Sequence, residues 1–348
     1  MKFSIYNKIR KLISTFNIYE DDASLCKMKS IISNRPVCIA VQTIDNCNAR
    51  CVFCARKKIK PTNQLMPMAL FDKLCQKYAA IGGGHLNFSP LLADPLIDPQ
   101  MLDRIELLLK LYPQITPNIF TNGIGFTRFT DDEIKQILIA VHHLDISLGG
   151  LTRHDYHNMY GVDKFDEVWA SLQRIYKISK TINKEFKINI HIRTNNKNKL
   201  VKSNELNQLI KMGYRCNDIA DAFSSWGGLI TNEDIPSGSK IIKRDNSNCR
   251  SQCFSPMYNF MVMQDGKVMA CGCMDALCQM EVGDINEESI TDIWLGDRMQ
   301  AIRKSFENPE TMYSICKSCA YYTPYEAYYS NPGLIDFDPR DDFWSKLK

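Results

Sequence analysis

Residues 37–54 read Val37-Cys-Ile-Ala-Val-Gln-Thr43, then Ile44-Asp45-Asn46, then Cys47-Asn-Ala-Arg-Cys51-Val-Phe53-Cys54. A short apolar run followed by three cysteines within eight positions reads as a buried strand that ends in a ligand loop. Cysteine thiolates at such short spacings hold iron–sulfur clusters. Three ligands hold three irons of a cubane and leave the fourth iron open to a small molecule. The alternative for the same loop is a zinc site, which needs a fourth ligand. His85 or a late cysteine is the candidate for it.

Beyond the loop, strands and helices alternate. The pattern predicts helices over 68–80, 100–111, 131–140 and 165–179, and a further helix containing 206–212. Between them it predicts strands over 85–89, 118–121, 144–148 and 187–194, with a final strand near 222–226. Phe165, Val168, Trp169, Leu172, Ile175 and Tyr176 form the inner face of the fourth helix. Gly82-Gly83-Gly84 reads as a helix stop. Regular β–α alternation implies a parallel sheet covered by helices, with functional groups at the C-terminal ends of its strands. After Trp226 the pattern changes, and Gly227, Gly228, Pro236, Ser237 and Gly238 mark a linker.

The chain has 348 residues, a net charge of +4 and 24% charged residues. No concentrated basic stripe argues for nucleic acid, and no apolar run approaches the roughly 18 residues of a membrane span. The N-terminus carries no secretory pattern, so the expected location is the cytoplasm. Ile5, Ile9, Leu12, Ile13 and Phe16 sit at helical spacing among basic residues. They predict an amphipathic helix, docked on the protein or lying on a membrane surface.

Fourteen cysteines are many for a cytoplasmic protein, and clustered cysteines there point to metal or cluster ligands rather than disulfides. Cys26, Cys38, Cys75 and Cys216 are scattered and read as small buried hydrophobes. The others fall into the loop and into a late group of Cys249, Cys253, Cys271, Cys273, Cys278, Cys316 and Cys319.

The C-x3-C-x2-C spacing, with Phe53 before the last cysteine, resembles the signature of the radical S-adenosylmethionine (SAM) superfamily. The resemblance implies that Cys47, Cys51 and Cys54 hold a 4Fe-4S cluster whose open iron chelates SAM. Reductive cleavage of SAM then yields a 5′-deoxyadenosyl radical. Asp94, in Leu92-Ala93-Asp94-Pro95-Leu96, stands where the family has a Gly-Gly-Glu stretch that receives the SAM amino group. Both glycines of that stretch are replaced. Asn122, in Thr121-Asn122-Gly123, and Ser147, where the family often has Ser-Ile-Asp-Gly, become SAM contacts on the same basis. Gly149 replaces the usual Asp of that motif. Arg193, at the end of the fifth strand, is placed to pair with the SAM carboxylate.

The late cysteines flank Met263-Gln-Asp-Gly-Lys-Val-Met-Ala-Cys271, a β-hairpin with an Asp-Gly turn. This resembles the auxiliary-cluster region called SPASM, or its shortened form, twitch. The positions where full SPASM has two further cysteines hold Tyr325 and Tyr329. The resemblance therefore implies one auxiliary 4Fe-4S cluster on Cys253, Cys271, Cys316 and Cys319, with Cys249, Cys273 and Cys278 as surplus or substitute ligands and zinc as the rival occupant.

Together these readings give an α/β fold: a partial (β/α)6 TIM-like barrel and a small C-terminal cysteine-rich domain. The boundaries are an N-terminal helical segment over 1–36, the barrel over 37–235, and the auxiliary domain with its tail over 236–348. The implied enzyme removes hydrogen from a small polar substrate, such as a sugar or cyclitol, in a net oxidation. It draws electrons from a donor such as flavodoxin or ferredoxin. The alternatives are a peptide-modifying radical SAM maturase and a non-catalytic zinc or iron–sulfur protein.

Overall fold

A computed structural model describes residues 23–183 and 187–325. The amphipathic segment at Ile5–Phe16, Tyr329 and the end of the tail lie outside the described residues. Six strands, β1 (Cys38–Val41), β2 (Gly84–Phe88), β3 (Ile115–Thr121), β4 (His143–Leu148), β5 (Lys187–Arg193) and β6 (Arg215–Ala220), pair in parallel in that order. Helices cross between them, as parallel pairing requires. The helices Met68–Ala80, Asp131–Ala140 and Phe165–Ser179 span the residues the periodicity predicts.

Two strands differ from expectation. The sixth barrel strand is Arg215–Ala220, not a strand at 222–226. Its sequence, Arg-Cys-Asn-Asp-Ile-Ala, carries little apolar signal because it forms one end of the sheet and bonds only β5. Ala222–Phe223 (β7) instead pairs with Lys240–Ile241 (β8) in a separate two-stranded sheet. The main sheet also continues past the expected boundary at 235/236. Asn259–Val262 (β9) lies parallel to β1, and Lys267–Met269 (β10) and Glu281–Asp284 (β11) extend it antiparallel. The Asp265-Gly266 turn joins β9 to β10, with Gly266 N–H donating to Met263 O. The late cysteine segment is thus tied by backbone hydrogen bonds to the strand that leads into the first cysteine loop.

The two faces of the barrel strands differ. Ile188, Ile190 and Ile192 of β5, and Leu144, Ile146 and Leu148 of β4, are buried in the hydrophobic core. The alternate positions are polar: His85 and Asn87, Asn118, His143, Asp145 and Ser147, Asn189, His191 and Arg193. Side chains alternate across a strand, so the core-facing set and the polar set lie on opposite faces. Parallel strands buried on both faces read as nearly continuous apolar runs. This alternation therefore means that one face looks onto a polar space.

The segment that carries Asp94 is locked from below. Asp98 and Arg104 form an ion pair of 2.8 Å with neither side chain exposed. Arg104 also donates to Met66 O, and Arg128 donates to Asp98 O at 2.8 Å. Removing one partner of such a buried pair costs on the order of 3–5 kcal/mol. The pair therefore ties the loop after β2 firmly to the helix that follows it.

Candidate active site

Cys47, Cys51 and Cys54 line one cavity of about 200 Å³ at the C-terminal ends of the strands. Asp94, Asn122 and Ser147 line the same cavity, as does Phe53. Several backbone bonds shape the cysteine loop. Arg50 N–H donates to Tyr160 O (2.9 Å) and Val52 N–H to Met159 O (3.0 Å), so the loop rests on the end of the helix Arg153–Tyr160. Gly161 closes that helix at φ 65°, and a Cβ there would stand 2.8 Å from Arg50 O. Only glycine allows both the left-handed turn and the close approach. Cys47 N–H donates to Asn46 Oδ1, and Arg56 donates to both Asp45 and Asn46.

Phe53 stacks on Phe223 with ring centroids 4.7 Å apart, and its carbonyl accepts from Trp226 Nε1 at 3.0 Å. Trp226, at the left-handed φ of 50°, also lines the cavity. Tyr160 was not evident in the sequence. Its ring is buried in the cavity wall and fills the space above Gly149, where an added Cβ would meet it at 2.5 Å. The aspartate usual in the family, which Gly149 replaces, would collide with this ring.

Asp94 is fully enclosed. Its carboxylate accepts from Thr121 Oγ1, Asn122 N–H (2.7 Å) and Leu96 N–H (3.0 Å). Burial pushes its pKa up to about 6 even against those donors. The carboxylate thus couples the end of β3 to the loop after β2. Asn122 Nδ2 donates to Asn48 Oδ1 at 2.7 Å and lies 3.6 Å from Cys47 Sγ. Arg193 is not among the residues lining this cavity and instead donates to Asp218 Oδ2 at 2.6 Å. His85, the candidate fourth zinc ligand, lies near the start of β2, with Nδ1 3.0 Å from Asn118 Nδ2, and does not line the cavity either.

The donor set suits an iron–sulfur cluster. Burial, with the nearby Asp94 charge, pushes the Cys47 thiol up to about 12, and burial raises Cys51 and Cys54 as well. Three buried thiols that resist ionisation one by one become thiolates together only on a bound cation, which reverses that preference. The same cavity keeps polar groups from three strand ends beside them.

Cys253, Cys271, Cys316 and Cys319 line a second pocket, walled by Met274, Met280, Ile302, Phe306, Ile315 and Tyr322. These are the four cysteines that the SPASM resemblance assigns to the auxiliary cluster. Burial pushes Cys253 up to about 12 and Cys319 to about 11. Cys273 is a neighbour of the set: its backbone N–H points at Cys271 Sγ (3.4 Å), and its thiol hydrogen-bonds Cys271 and lowers that thiol. Cys249 packs beside Phe306, Met312 and Tyr322. Cys278 is exposed and does not line the pocket.

Asp145, His191, Asp218 and Arg193 form a network on β4, β5 and β6 that the sequence reading did not assemble. His191 Nε2 is 2.7 Å from Asp145 Oδ1, and Nδ1 is 3.1 Å from Asp218 Oδ2. Burial alone would lower the His191 pKa, but the hydrogen bonds to Asp145 and Asp218 outweigh it and raise it to about 9. At neutral pH both ring nitrogens therefore donate. Burial would raise Asp218, yet His191 and the Arg193 charge hold it well below the usual carboxylate range. The visible signal was Lys187-Ile-Asn-Ile-His-Ile-Arg193, whose strict alternation marks a polar inner face.

The family model for the radical SAM superfamily matches residues 41–196, and the model for the iron–sulfur cluster-binding domain SPASM matches 253–320. The chain belongs to the radical SAM superfamily and carries a C-terminal SPASM domain. The SAM-dependent 2-deoxy-scyllo-inosamine dehydrogenase of Niallia circulans is 22% identical over 294 residues, covering 81% of this chain and 91% of the dehydrogenase. The GTP 3′,8-cyclase of Desulforamulus reducens is 21% identical over 143 residues, and the match spans only 42% of that protein. Among solved structures, BtrN in complex with AdoMet and 2-DOIA superposes with a TM-score of 0.55 at 20% identity, over 83% of this chain and 95% of BtrN. SuiB of Streptococcus suis bound to precursor peptide SuiA gives 0.55 at 14% identity, over 98% and 87%. These likenesses establish the partial barrel. Membership establishes an enzyme that uses SAM and a 4Fe-4S cluster, with auxiliary iron–sulfur binding in the SPASM domain. Among the described residues no helix is long and apolar enough to cross a membrane.

Proposed function

We propose that the enzyme oxidises a secondary alcohol of a small polar substrate, sugar- or cyclitol-like, to a ketone. The observation that carries this reading is the polar inner face of the barrel strands, which continues from Ser147 at the first cysteine cavity through Asp145 and His191. A hydroxyl-rich molecule finds donors and acceptors there, whereas an apolar side chain does not. The 2-deoxy-scyllo-inosamine dehydrogenase, matched over 91% of its length, supports it.

Cys47, Cys51 and Cys54 hold the SAM-binding cluster, and Asp94, Asn122, Ser147 and Phe53 form the wall against which SAM is placed. Cys253, Cys271, Cys316 and Cys319 hold one auxiliary 4Fe-4S cluster. With SAM bound, the first cluster would supply the electron for reductive cleavage to a 5′-deoxyadenosyl radical that takes the hydrogen atom, and the second would supply an electron acceptor. Alcohol to ketone then balances as one hydrogen atom to the SAM-derived fragment, one electron to the acceptor and one proton to solvent. The reductant is a flavodoxin- or ferredoxin-type protein, and the setting is the cytoplasm.

The test uses the anaerobically reconstituted enzyme with SAM, reductant and a panel of cyclitols and sugars deuterated at their carbinol carbons. The expected result is deuterium in 5′-deoxyadenosine together with a ketone product. Deuterium transfer from a deuterated peptide, with none from any polyol, would overturn the reading in favour of peptide modification.

A further inference from the structure

We propose that Asp218 and Arg193, set in place by His191 and Asp145, form the substrate subsite and read two adjacent hydroxyl groups. The proposal rests on the polyol reading above and names the residues that would enforce it. Asp145 is buried, and its Oδ1 accepts from His191 Nε2 and from Asn189 Nδ2 at 3.0 Å. His191 Nδ1 and Arg193 Nη1 both engage Asp218 Oδ2. The aspartate is thereby fixed from two sides. Among the described residues its other oxygen, Oδ1, accepts nothing, and the side chain is 46% exposed.

Arg193 has five N–H donors in a planar fork, and the bond to Asp218 uses one nitrogen, Nη1. Among the described residues the remaining guanidinium donors engage no acceptor, so Asp218 Oδ1 beside them is an acceptor next to a donor. That pair matches a vicinal diol, one hydroxyl donating to Asp218 and its neighbour accepting from Arg193. The network contains two carboxylates and two cations, so it is electrically balanced and suits a neutral polyol better than an anion. For the same reason Arg193 is a poor partner for the SAM carboxylate: its charge is already matched, and it stands outside the cavity of the first cysteines.

The location also fits a substrate. Asp145 stands two residues before Ser147 on β4 and so on the same face, and Ser147 lines the first cavity. The subsite therefore continues the polar inner face that begins at the first cysteine group. Among the described residues the buried Oδ2 of Asp145 has no hydrogen-bond partner. That orphan acceptor is explained if the network is built for charge and orientation rather than for stability alone. A purely structural role, closing β6 onto β5 by an ion pair, is the competing account.

Binding separates the two. Calorimetric titration of the anaerobic, SAM-loaded holoenzyme compares scyllo-inositol, whose hydroxyls are all adjacent, with cyclohexane-1,3,5-triol, which has no adjacent pair. The wild type is expected to prefer scyllo-inositol by about tenfold or more, the scale of a hydrogen bond to a charged group. Asp218→Ala is expected to erase that preference, and Asp218→Glu to keep part of it. Because the preference is a ratio within one preparation, loss of folded protein does not imitate the effect. An unchanged preference in Asp218→Ala would overturn the assignment while leaving the polyol reading standing. A wild type that binds both probes equally would overturn the vicinal-diol reading, and one that binds neither would overturn the polyol reading and this subsite with it.

Discussion

Cys47→Ala abolishes 5′-deoxyadenosine formation. Cys47 is one of three thiols at the first cavity, and its backbone N–H is already committed to Asn46 while Asn122 lies against its sulfur. No nearby side chain replaces it: Asn46, Asn48 and Asn122 are amides, and the Asp94 carboxylate is occupied by Thr121, Asn122 and Leu96. A cluster with two remaining ligands is not retained. Changes in groups that merely support metal ligands cost roughly 10–100-fold, so loss of a ligand itself is expected to exceed that and fall below detection. The measurement is 5′-deoxyadenosine released per chain with SAM and dithionite. The same preparation should lose about four irons. Wild-type turnover by Cys47→Ala would contradict the site.

Cys316→Ala is expected to have an equally large effect on a different quantity. Cys316 lines the second pocket with Cys253, Cys271 and Cys319, and the first cavity shares none of these residues. Iron should fall from about eight per chain, the content of two cubanes, to about four. Cleavage of SAM should continue, since the thiols we assign to the SAM-binding cluster are intact, while oxidised product should disappear because its electron has no acceptor. Retained product formation would contradict the role given to the auxiliary site. Cys278→Ala, at an exposed position outside the pocket, should keep about eight irons.

The parts of this account that were legible in the sequence are those set by short-range pattern. The loop Cys47–Cys54 stands out by its spacing as a cluster or zinc site, and its resemblance to the radical SAM signature narrows that to a SAM-binding cluster. The helices Met68–Ala80, Asp131–Ala140 and Phe165–Ser179 declare themselves by period, and the structure adds a Thr130–Glu133 capping box at the start of the second. The set Cys253, Cys271, Cys316 and Cys319, which line one pocket, follows from the SPASM resemblance carried by the hairpin signal and the Cys-x2-Cys pair. What escaped was set by tertiary context. Arg215–Ala220 has no apolar period because an end strand with a polar inner face needs none. The joining of β9 to β1 is a contact between segments more than two hundred residues apart, with no local trace. Tyr160 is visible as a site residue only once its ring is seen against Gly149. Arg193 looked like a lone cation at a strand end, and Asp218, its partner, lies on the strand that was misplaced.

The most direct test of the central claim is anaerobic reconstitution of the full chain with iron and sulfide, metal analysis, and then incubation with SAM and dithionite. The account predicts about eight irons per chain and accumulation of 5′-deoxyadenosine and methionine. Stoichiometric zinc with almost no iron, and no cleavage of SAM, would contradict it.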